Sequence, residues 1–221
     1  MKLIDRPSPN HDSRGDTAID MLVLHYTGMA SGAEALARLC DPAAKVSAHY
    51  TIDEDGTVYG HVAEDRRAWH AGVSHWGGVS NLNSCSIGIE LVNPGHEFGY
   101  RAFPEAQIAS LIALCSGILQ RHPIPPARVL AHSDVAPARK EDPGELFPWA
   151  RLAQAGIGLW PVTIKSELKA DALIRYGYDP NAPQDKVITA FQRHFRPQKL
   201  DGEWDEECAS LLAGLLASTG V

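Results

Sequence analysis

The sequence predicts an α/β fold, a β-sheet flanked by helices, followed by a small unit that contains only helices. Two observations support this. Short apolar runs alternate with amphipathic segments over the first 160 residues, and from Trp160-Pro161 onward three helical patterns occur without a strand-like run. We therefore divide the 221 residues into a larger unit, 1–162, and a smaller helical unit, 163–221.

The first strands are predicted from apolar runs that end at polar residues. Segment 19–24 is typical of a strand and delivers His25 at its end. A capping pattern at Ser31 predicts a short helix. The runs 46–52 and 57–61 flank an Asp-Gly turn and predict a β-hairpin.

The next elements alternate in the same way. Segment 86–92 predicts a strand whose one charged residue is Glu90, and a helix is predicted to begin after Pro104. Segment 129–131 predicts a short strand that delivers His132. The three helical patterns of the smaller unit cover 167–176, 185–195 and 203–216.

Composition excludes several classes of protein. With 20 basic and 27 acidic residues the net charge is −7, which argues against a nucleic-acid-binding protein. No apolar run approaches the length of a membrane span, and none near the start resembles a signal peptide. We expect a monomer in the cytoplasm, or in the periplasm if a leader was removed. The four cysteines form no C-x-x-C pair, so we expect reduced, mostly buried thiols.

The candidate chemistry lies at the ends of two predicted strands. For His25 or His132 alone, an ordinary structural role is the commoner explanation. The loop after His132, however, carries Lys140, Glu141 and Asp142. Two histidines and one carboxylate form a catalytic zinc set that leaves one position for water. The sequence therefore predicts Zn²⁺ bound by His25, His132 and Asp142.

Glu90 and Lys140 are the candidate catalytic residues. A glutamate in an apolar strand suits a base that takes a proton from water; the alternative, which the sequence by itself leaves open, is a buried ion pair with an arginine. An ammonium two residues before Asp142 suits stabilisation of a negative intermediate. The alternative for Lys140 is a solvated loop lysine.

Other histidines show weaker patterns. Segment 68–83 mixes histidine, tryptophan and glycine and predicts either a sugar-binding cleft or loop packing, with Trp69 and His70 as candidate substrate contacts. Polar, proline-rich or helical surroundings assign the following residues to the surface: His11, His96, His122 and His194.

Five motifs together resemble the zinc-dependent N-acetylmuramoyl-L-alanine amidases, more narrowly their AmpD/AmiD group. They are Leu-His-Tyr-Thr-Gly at 24–28, Ser-Ala-His-Tyr at 47–50, Ser-Ile-Gly-Ile-Glu at 86–90, Ala-His-Ser-Asp at 131–134 and Arg-Lys-Glu-Asp-Pro-Gly at 139–144. The resemblance implies a mixed central sheet flanked by helices, as in peptidoglycan recognition proteins. It also implies that water hydrolyses the amide between the lactyl group of N-acetylmuramic acid and L-alanine.

The resemblance assigns roles to individual residues. It implies zinc ligands His25, His132 and Asp142, water activation by Glu90 and stabilisation of the intermediate by Lys140. It further places Tyr50 close to the zinc site, as a third candidate substrate contact. Segment 190–202 is similar to a small three-helix peptidoglycan-binding domain, so the implied partner is murein or its fragments.

Two other functions compete with the amidase. A non-catalytic peptidoglycan receptor of the same fold would leave all five site residues without a use. A hydrolase with a Cys-His pair, built on Cys85 or Cys40, lacks a partner motif. The amidase is therefore the predicted function.

Overall fold

The structure, a computed structural model, describes residues 2–220, which form ten short strands and eight helices. The strands are β1 (Leu3–Asp5), β2 (His11–Ser13), β3 (Met21–Tyr26), β4 (Tyr50–Ile52), β5 (Val58–Gly60), β6 (Arg66–Ala68), β7 (His75–Trp76), β8 (Val79–Ser80), β9 (Ser86–Leu91) and β10 (Val129–Ala131). The helices are α1 (Gly32–Cys40), α2 (Gly95–Phe98), α3 (Glu105–Arg121), α4 (His132–Val135), α5 (Trp149–Gln154), α6 (Leu173–Tyr176), α7 (Gln184–Phe195) and α8 (Glu206–Thr219).

The central sheet is mixed, as predicted. Its strand order is β1-β5-β4-β9-β3-β10, and every neighbouring pair is parallel except the hairpin of β4 and β5. The hairpin turn closes through a 2.8 Å hydrogen bond from the Asp53 amide to the Thr57 carbonyl, with Gly56 at a φ of +85°. Two further pairs, β2 with β6 and β7 with β8, lie outside this sheet.

The sheet is covered on both faces because its side chains alternate. In β3, Leu22 and Leu24 are buried in one core with α3 and α5, whereas Met21 and Val23 are buried in a second core with α6, α7 and α8. The three C-terminal helices therefore form one layer of a helix-sheet-helix arrangement. This confirms the predicted fold class.

Residues from both sides of position 162 share the second core. Phe191 and Leu212 of the C-terminal helices pack in it with Trp76 and Leu130. The connecting segment also lies tightly on α8, where a Cβ at Gly214 would come within 1.8 Å of the Val162 carbonyl oxygen. The packing is therefore continuous across position 162. The division into units 1–162 and 163–221 stays a prediction that the two parts differ in function.

Asp134 links the sheet to the C-terminal helices. Its carboxylate is fully buried and accepts hydrogen bonds from the Ala131 amide (2.8 Å), the Tyr178 hydroxyl (2.7 Å) and Nδ1 of His194 (2.7 Å). A carboxylate is stable in the interior only when such partners replace its water. The end of β10 and two parts of the C-terminal layer thus meet at one group.

Two sequence expectations are wrong. The helix predicted over 167–176 begins only at Ala170, as a 3₁₀ turn, because the Leu168 amide donates to the Ser166 hydroxyl and its carbonyl accepts from the Trp204 indole. His194 is not a surface residue: it is 2% exposed and lies between the rings of Trp149 and Phe195, beside Asp134.

The cysteine prediction is confirmed within residues 2–220. All four thiols are free; Cys85, Cys115 and Cys208 are buried, and Cys40 is partly buried. Within the same range, every helix is too short or too polar to cross a membrane. The cellular compartment and the monomeric state stay predictions.

We predict that Tyr178→Phe destabilises the fold. The substitution removes one donor from the buried Asp134 carboxylate, which should lower the free energy of unfolding by about 1–3 kcal/mol. Thermal and urea denaturation measure this, with Tyr59→Phe as the control, since Tyr59 is partly buried but has no side-chain hydrogen bond among residues 2–220. Equal stabilities of the two variants would contradict the role of Asp134.

Candidate metal centre and active site

The candidate site lies at the carboxyl ends of parallel strands. His25 of β3 is directly opposite Glu90 of β9 in the strand register. His132 is the first residue of α4, immediately after β10, and Asp142 lies on the loop between α4 and α5. Since β9, β3 and β10 are parallel neighbours, their ends bring these residues to one edge of the sheet.

Three ligand atoms converge there. Nδ1 of His25 lies 2.9 Å from Nδ1 of His132 and 3.1 Å from Oδ2 of Asp142, and His132 Nδ1 lies 3.0 Å from the same Oδ2. All three residues are buried, and their ligand atoms lie within 4.8 Å of one another. This arrangement has the composition and spacing of a metal site with three protein ligands.

The outer ring nitrogens explain why the Nδ1 atoms are free to bind a metal. His132 Nε2 donates to the Ala71 carbonyl at 3.1 Å. His25 Nε2 donates to Nδ1 of His70 at 3.1 Å, and His70 Nε2 in turn donates to the Ser86 hydroxyl at 3.1 Å. Since hydrogen-bond partners decide the tautomer, this network leaves both inner Nδ1 atoms as lone pairs.

A glycine in the third motif makes room for that network. A Cβ on Gly88 would lie 2.3 Å from Cγ of His70, a contact that the two groups could not tolerate. The Ser-Ile-Gly-Ile-Glu motif therefore supplies the hydroxyl of Ser86, the space above Gly88 and the carboxyl group of Glu90 on one face of β9.

Electrostatics favour a cation among the three ligands. Burial, together with the neighbouring His132, lowers the pKa of His25 to about 4, so the imidazole is neutral at pH 7. Burial opposes ionisation of Asp142, but His132 and His25 outweigh it and lower the pKa of that carboxyl well below its usual range. Two lone pairs and one anion that face each other are stabilised by a positive ion between them.

Glu90 is the unpaired acid of the site. Its Oε2 atom is buried without a hydrogen-bond partner. Burial raises the pKa of Glu90 well above its usual range; the negative charge of Asp142 adds to this effect and the positive charge of Lys140 opposes it. No arginine pairs with Glu90 in the part of the chain that the structure describes, so the buried-ion-pair explanation is not supported.

The site opens into a cavity of about 580 Å³. Trp69, His70, Glu90 and Lys140 line it, together with residues of α1, α2 and α7. His96, which the sequence assigned to the surface, also lines it; its ring stacks on Tyr100 at 4.4 Å. The remainder of segment 68–83 turns away from the cavity and packs on the C-terminal layer through Trp76.

Tyr50 does not join the site, and its expected place near the metal is wrong. Strand alternation puts Tyr50 on the face of the sheet that α3 covers, beside Ile89, and its hydroxyl donates to Glu64 at 2.8 Å. The preceding residue, His49, lies on the side of the site, where its ring centroid is 5.7 Å from that of His70.

The sequence did not reveal the residues that support the metal ligands or line the cavity from a distant segment. Nothing local in the sequence marks Gly88 as the space for His70, or Ala71 as the acceptor for His132. The sequence also did not reveal the cavity residues of α7, which begins 40 residues after the last site motif ends. Only a spatial arrangement of distant segments reveals these contacts.

Comparison with known proteins identifies the family. The family described as N-acetylmuramoyl-L-alanine amidase matches residues 15–145. AmiD of Escherichia coli is 39% identical in an alignment 234 residues long, which covers 91% of this chain and 84% of AmiD. AmpD of Citrobacter freundii, a 1,6-anhydro-N-acetylmuramyl-L-alanine amidase, is 36% identical over 66% of this chain and 85% of its own length.

Solved structures agree. The structure of E. coli AmiD in complex with anhydro-N-acetylmuramic acid-L-Ala-D-γ-Glu-L-Lys has a TM-score of 0.82, covering 93% of this chain and 92% of AmiD. AmpDh3 of Pseudomonas aeruginosa is 34% identical with a TM-score of 0.82, covering 97% and 96% of the two chains. Since the family match spans more than half of the chain and the AmiD similarity spans nearly all of it, this chain belongs to the N-acetylmuramoyl-L-alanine amidase family.

Proposed function

We propose that this chain is a zinc-dependent amidase that hydrolyses the bond between the lactyl group of N-acetylmuramic acid and L-alanine in murein or its fragments. The convergence of two imidazole nitrogens and one carboxylate oxygen in a chain of this family carries the proposal. The AmiD and AmpDh3 structures with muropeptide ligands support the class of substrate.

His25, His132 and Asp142 would hold Zn²⁺ through Nδ1, Nδ1 and Oδ2. Two observations support this fit: the inner nitrogens are lone pairs, and the outer nitrogens are engaged as supporting donors. When bound, the ion would supply Lewis-acid chemistry, by polarising the scissile carbonyl and making water more acidic.

Glu90 is the proposed base. Glu90 lines the cavity beside the metal triad, its Oε2 makes no hydrogen bond, and its carboxylate can accept a proton from the attacking water. The water oxygen then bonds to the lactyl carbonyl carbon. When the carbon–nitrogen bond breaks, Glu90 returns the proton to the amino group of L-alanine, so that the two products are the carboxylic acid and the free peptide.

Lys140 is the proposed stabiliser of the oxyanion. It lines the cavity, and its charge acts on both His25 and Glu90. An ammonium near the carbonyl oxygen lowers the free energy of the negative charge that develops there during attack. In the same cavity, Trp69 offers a flat apolar face on which a sugar ring can pack.

We propose that residues 1–162 carry the chemistry and that residues 163–221 contribute to binding of peptidoglycan. The similarity of the chain to AmiD over 91% of its length supports a role for the second unit beyond the family match at 15–145. The presence of both candidate catalytic groups beside the triad favours the amidase over a non-catalytic receptor.

We expect the zinc-loaded protein to release a free stem peptide from a muropeptide. Mass spectrometry after incubation with N-acetylmuramoyl-L-Ala-D-γ-Glu-L-Lys should show two products, N-acetylmuramic acid and L-Ala-D-γ-Glu-L-Lys. A sample treated with a chelator should show intact substrate, and added Zn²⁺ should restore cleavage. Intact substrate with zinc present would contradict the amidase and favour the receptor.

Removal of any one ligand should remove the metal and the activity together. His25→Ala, His132→Ala and Asp142→Ala should each lower zinc affinity by more than about 100-fold, since loss of a supporting partner alone costs 10–100-fold. Zinc content after dialysis measures this, with His11→Ala as the control because His11 lies on β2, outside the cavity. Full zinc occupancy in a ligand variant would remove that residue from the site.

Glu90→Gln should separate metal binding from turnover. The amide keeps the size of the side chain but cannot accept the proton, so kcat should fall by about 10²–10⁴-fold while zinc content stays equal to that of the wild type. Glu97→Gln is the matched control, because Glu97 lines the same cavity from α2. A Glu90→Gln protein with the kcat of the wild type would exclude Glu90 as the base.

A further inference from the structure

One wall of the cavity above the metal triad belongs to α7, outside the segment that matches the amidase family. Lys186, Thr189 and Arg193 of this helix line the cavity. Their spacing of three and four residues puts them on one helical face. A helix of the smaller unit therefore faces the same space as His132 and Asp142.

Buried contacts fix α7 relative to the triad. His194, the neighbour of Arg193, binds Asp134 at 2.7 Å, and Asp134 follows the metal ligand His132 by two residues. Phe191 of the same helix is fully buried in the core that it shares with β3. The cavity-facing side of α7 is thus part of a rigid site and not of a tethered module.

Arg193 is only partly paired in this wall. Its side chain is 11% exposed and faces the carboxylates of Glu141 and Glu145 at 3.8 and 3.7 Å, both beyond hydrogen-bond length. Its Nε atom is buried without a hydrogen-bond partner. The Nη1 and Nη2 atoms of Arg193 also make no hydrogen bond among residues 2–220, so they are the donors that a bound anion can engage.

Lys186 extends the positive charge to the rim of the cavity. Its side chain is 55% exposed, and its one ion pair among residues 2–220 is with the adjacent Asp185 at 3.8 Å. Thr189 adds no free donor, since its hydroxyl donates to the Asp185 carbonyl at 2.7 Å. Lys186 and Arg193 are therefore the groups that α7 offers to a ligand.

The other cations of the cavity are mostly in use. Arg139 donates to the carbonyl oxygens of Ala71 and Val73 at 3.0 and 2.7 Å, and Lys140 is the proposed oxyanion stabiliser. Arg38 of α1 also lines the cavity and is the alternative cation that a test must separate from α7.

We propose that Lys186 and Arg193 bind a free carboxylate of the stem peptide. The inference rests on the proposed function, because it takes the stem peptide as the ligand. A D-γ-glutamyl residue is linked through its side chain and so keeps its α-carboxylate free, and the last residue of the peptide carries a second one. Either anion suits this wall, because the charge-assisted hydrogen bonds of a carboxylate with Lys and Arg are stronger than those of neutral sugar hydroxyl groups.

Three forms of one substrate test the proposal on the full-length, zinc-loaded protein. They are N-acetylmuramoyl-L-Ala-D-γ-Glu-L-Lys, its α-carboxamide at glutamate and its C-terminal carboxamide. The double variant Lys186→Gln/Arg193→Gln should lower kcat/KM for the free acid by about 10-fold or more, through KM, with kcat little changed. When the carboxylate that α7 binds is replaced by an amide, the wild type and the double variant should cleave the substrate equally. The amide form that is cleaved equally therefore identifies the bound carboxylate.

Three further variants control the experiment. Lys165→Gln/Arg175→Gln removes two exposed cations of the same unit that lie outside the cavity and should leave all three rates unchanged. Because Arg193 is largely buried, Lys186→Glu provides a test that does not depend on packing, and it should show the same selective loss. Arg38→Gln should keep the preference of the wild type for the acid.

The outcomes separate this proposal from the proposed function. The proposal would be overturned if the double variant lost activity equally on all three forms or on none of them. It would also be overturned if only Arg38→Gln removed the preference for the acid. If the wild type cleaves none of the forms, the amidase proposal fails, and calorimetric binding of L-Ala-D-γ-Glu-L-Lys then tests the α7 wall alone. A Kd about 10-fold higher for the double variant would support binding of the peptide by α7, and an unchanged Kd would overturn it.

Discussion

The buried carboxylate of Asp134 is the constraint on which the arrangement of this protein depends. It is fully inaccessible to water and has one donor from the end of β10, one from Tyr178 between α6 and α7, and one from His194 of α7. Loss of any one of them would leave a charge in the interior without adequate compensation. The sheet and the C-terminal layer must therefore be in place together. Because Asp134 follows His132 by two residues, the same contact also fixes the start of α4, where the candidate metal ligand lies.

The candidate metal centre extends the same principle of satisfying each buried polar atom. From His25 a chain of donors runs through His70 to the Ser86 hydroxyl, which donates to the Leu82 carbonyl at 2.6 Å. Each link determines which ring nitrogen carries the proton, so the orientation of the inner lone pairs is decided several residues away from them. Oε2 of Glu90 is the exception, and an unsatisfied buried acid beside a metal triad is typical of a group that acts on substrate or water.

The sequence predicted the site better than it predicted what surrounds it. His25, Glu90 and His132 could be placed together because each follows or lies in a recognisable strand, and the ends of parallel strands meet at one edge. Tyr50 was misplaced because a motif gives proximity along the chain but not the face of the strand, and adjacent strand residues point to opposite faces. His194 was misassigned for a related reason: its partner, Asp134, lies 60 residues away, so no local pattern shows that the helix face is buried.

Adjacent residues on α7 connect the packing of the protein to its cavity. Successive residues of a helix point about 100° apart, so His194 can bind Asp134 in the core while Arg193 faces the cavity. A chain that ended before residue 163 would keep the residues of the metal triad, Glu90 and Lys140, but it would lose both the contact that holds α4 in place and the cations of the wall. The smaller unit thus cannot be exchanged freely as a separate anchor. Its position relative to the metal triad follows from the same buried contact that stabilises the fold, so the proposed recognition of substrate and the stability of the fold share that contact.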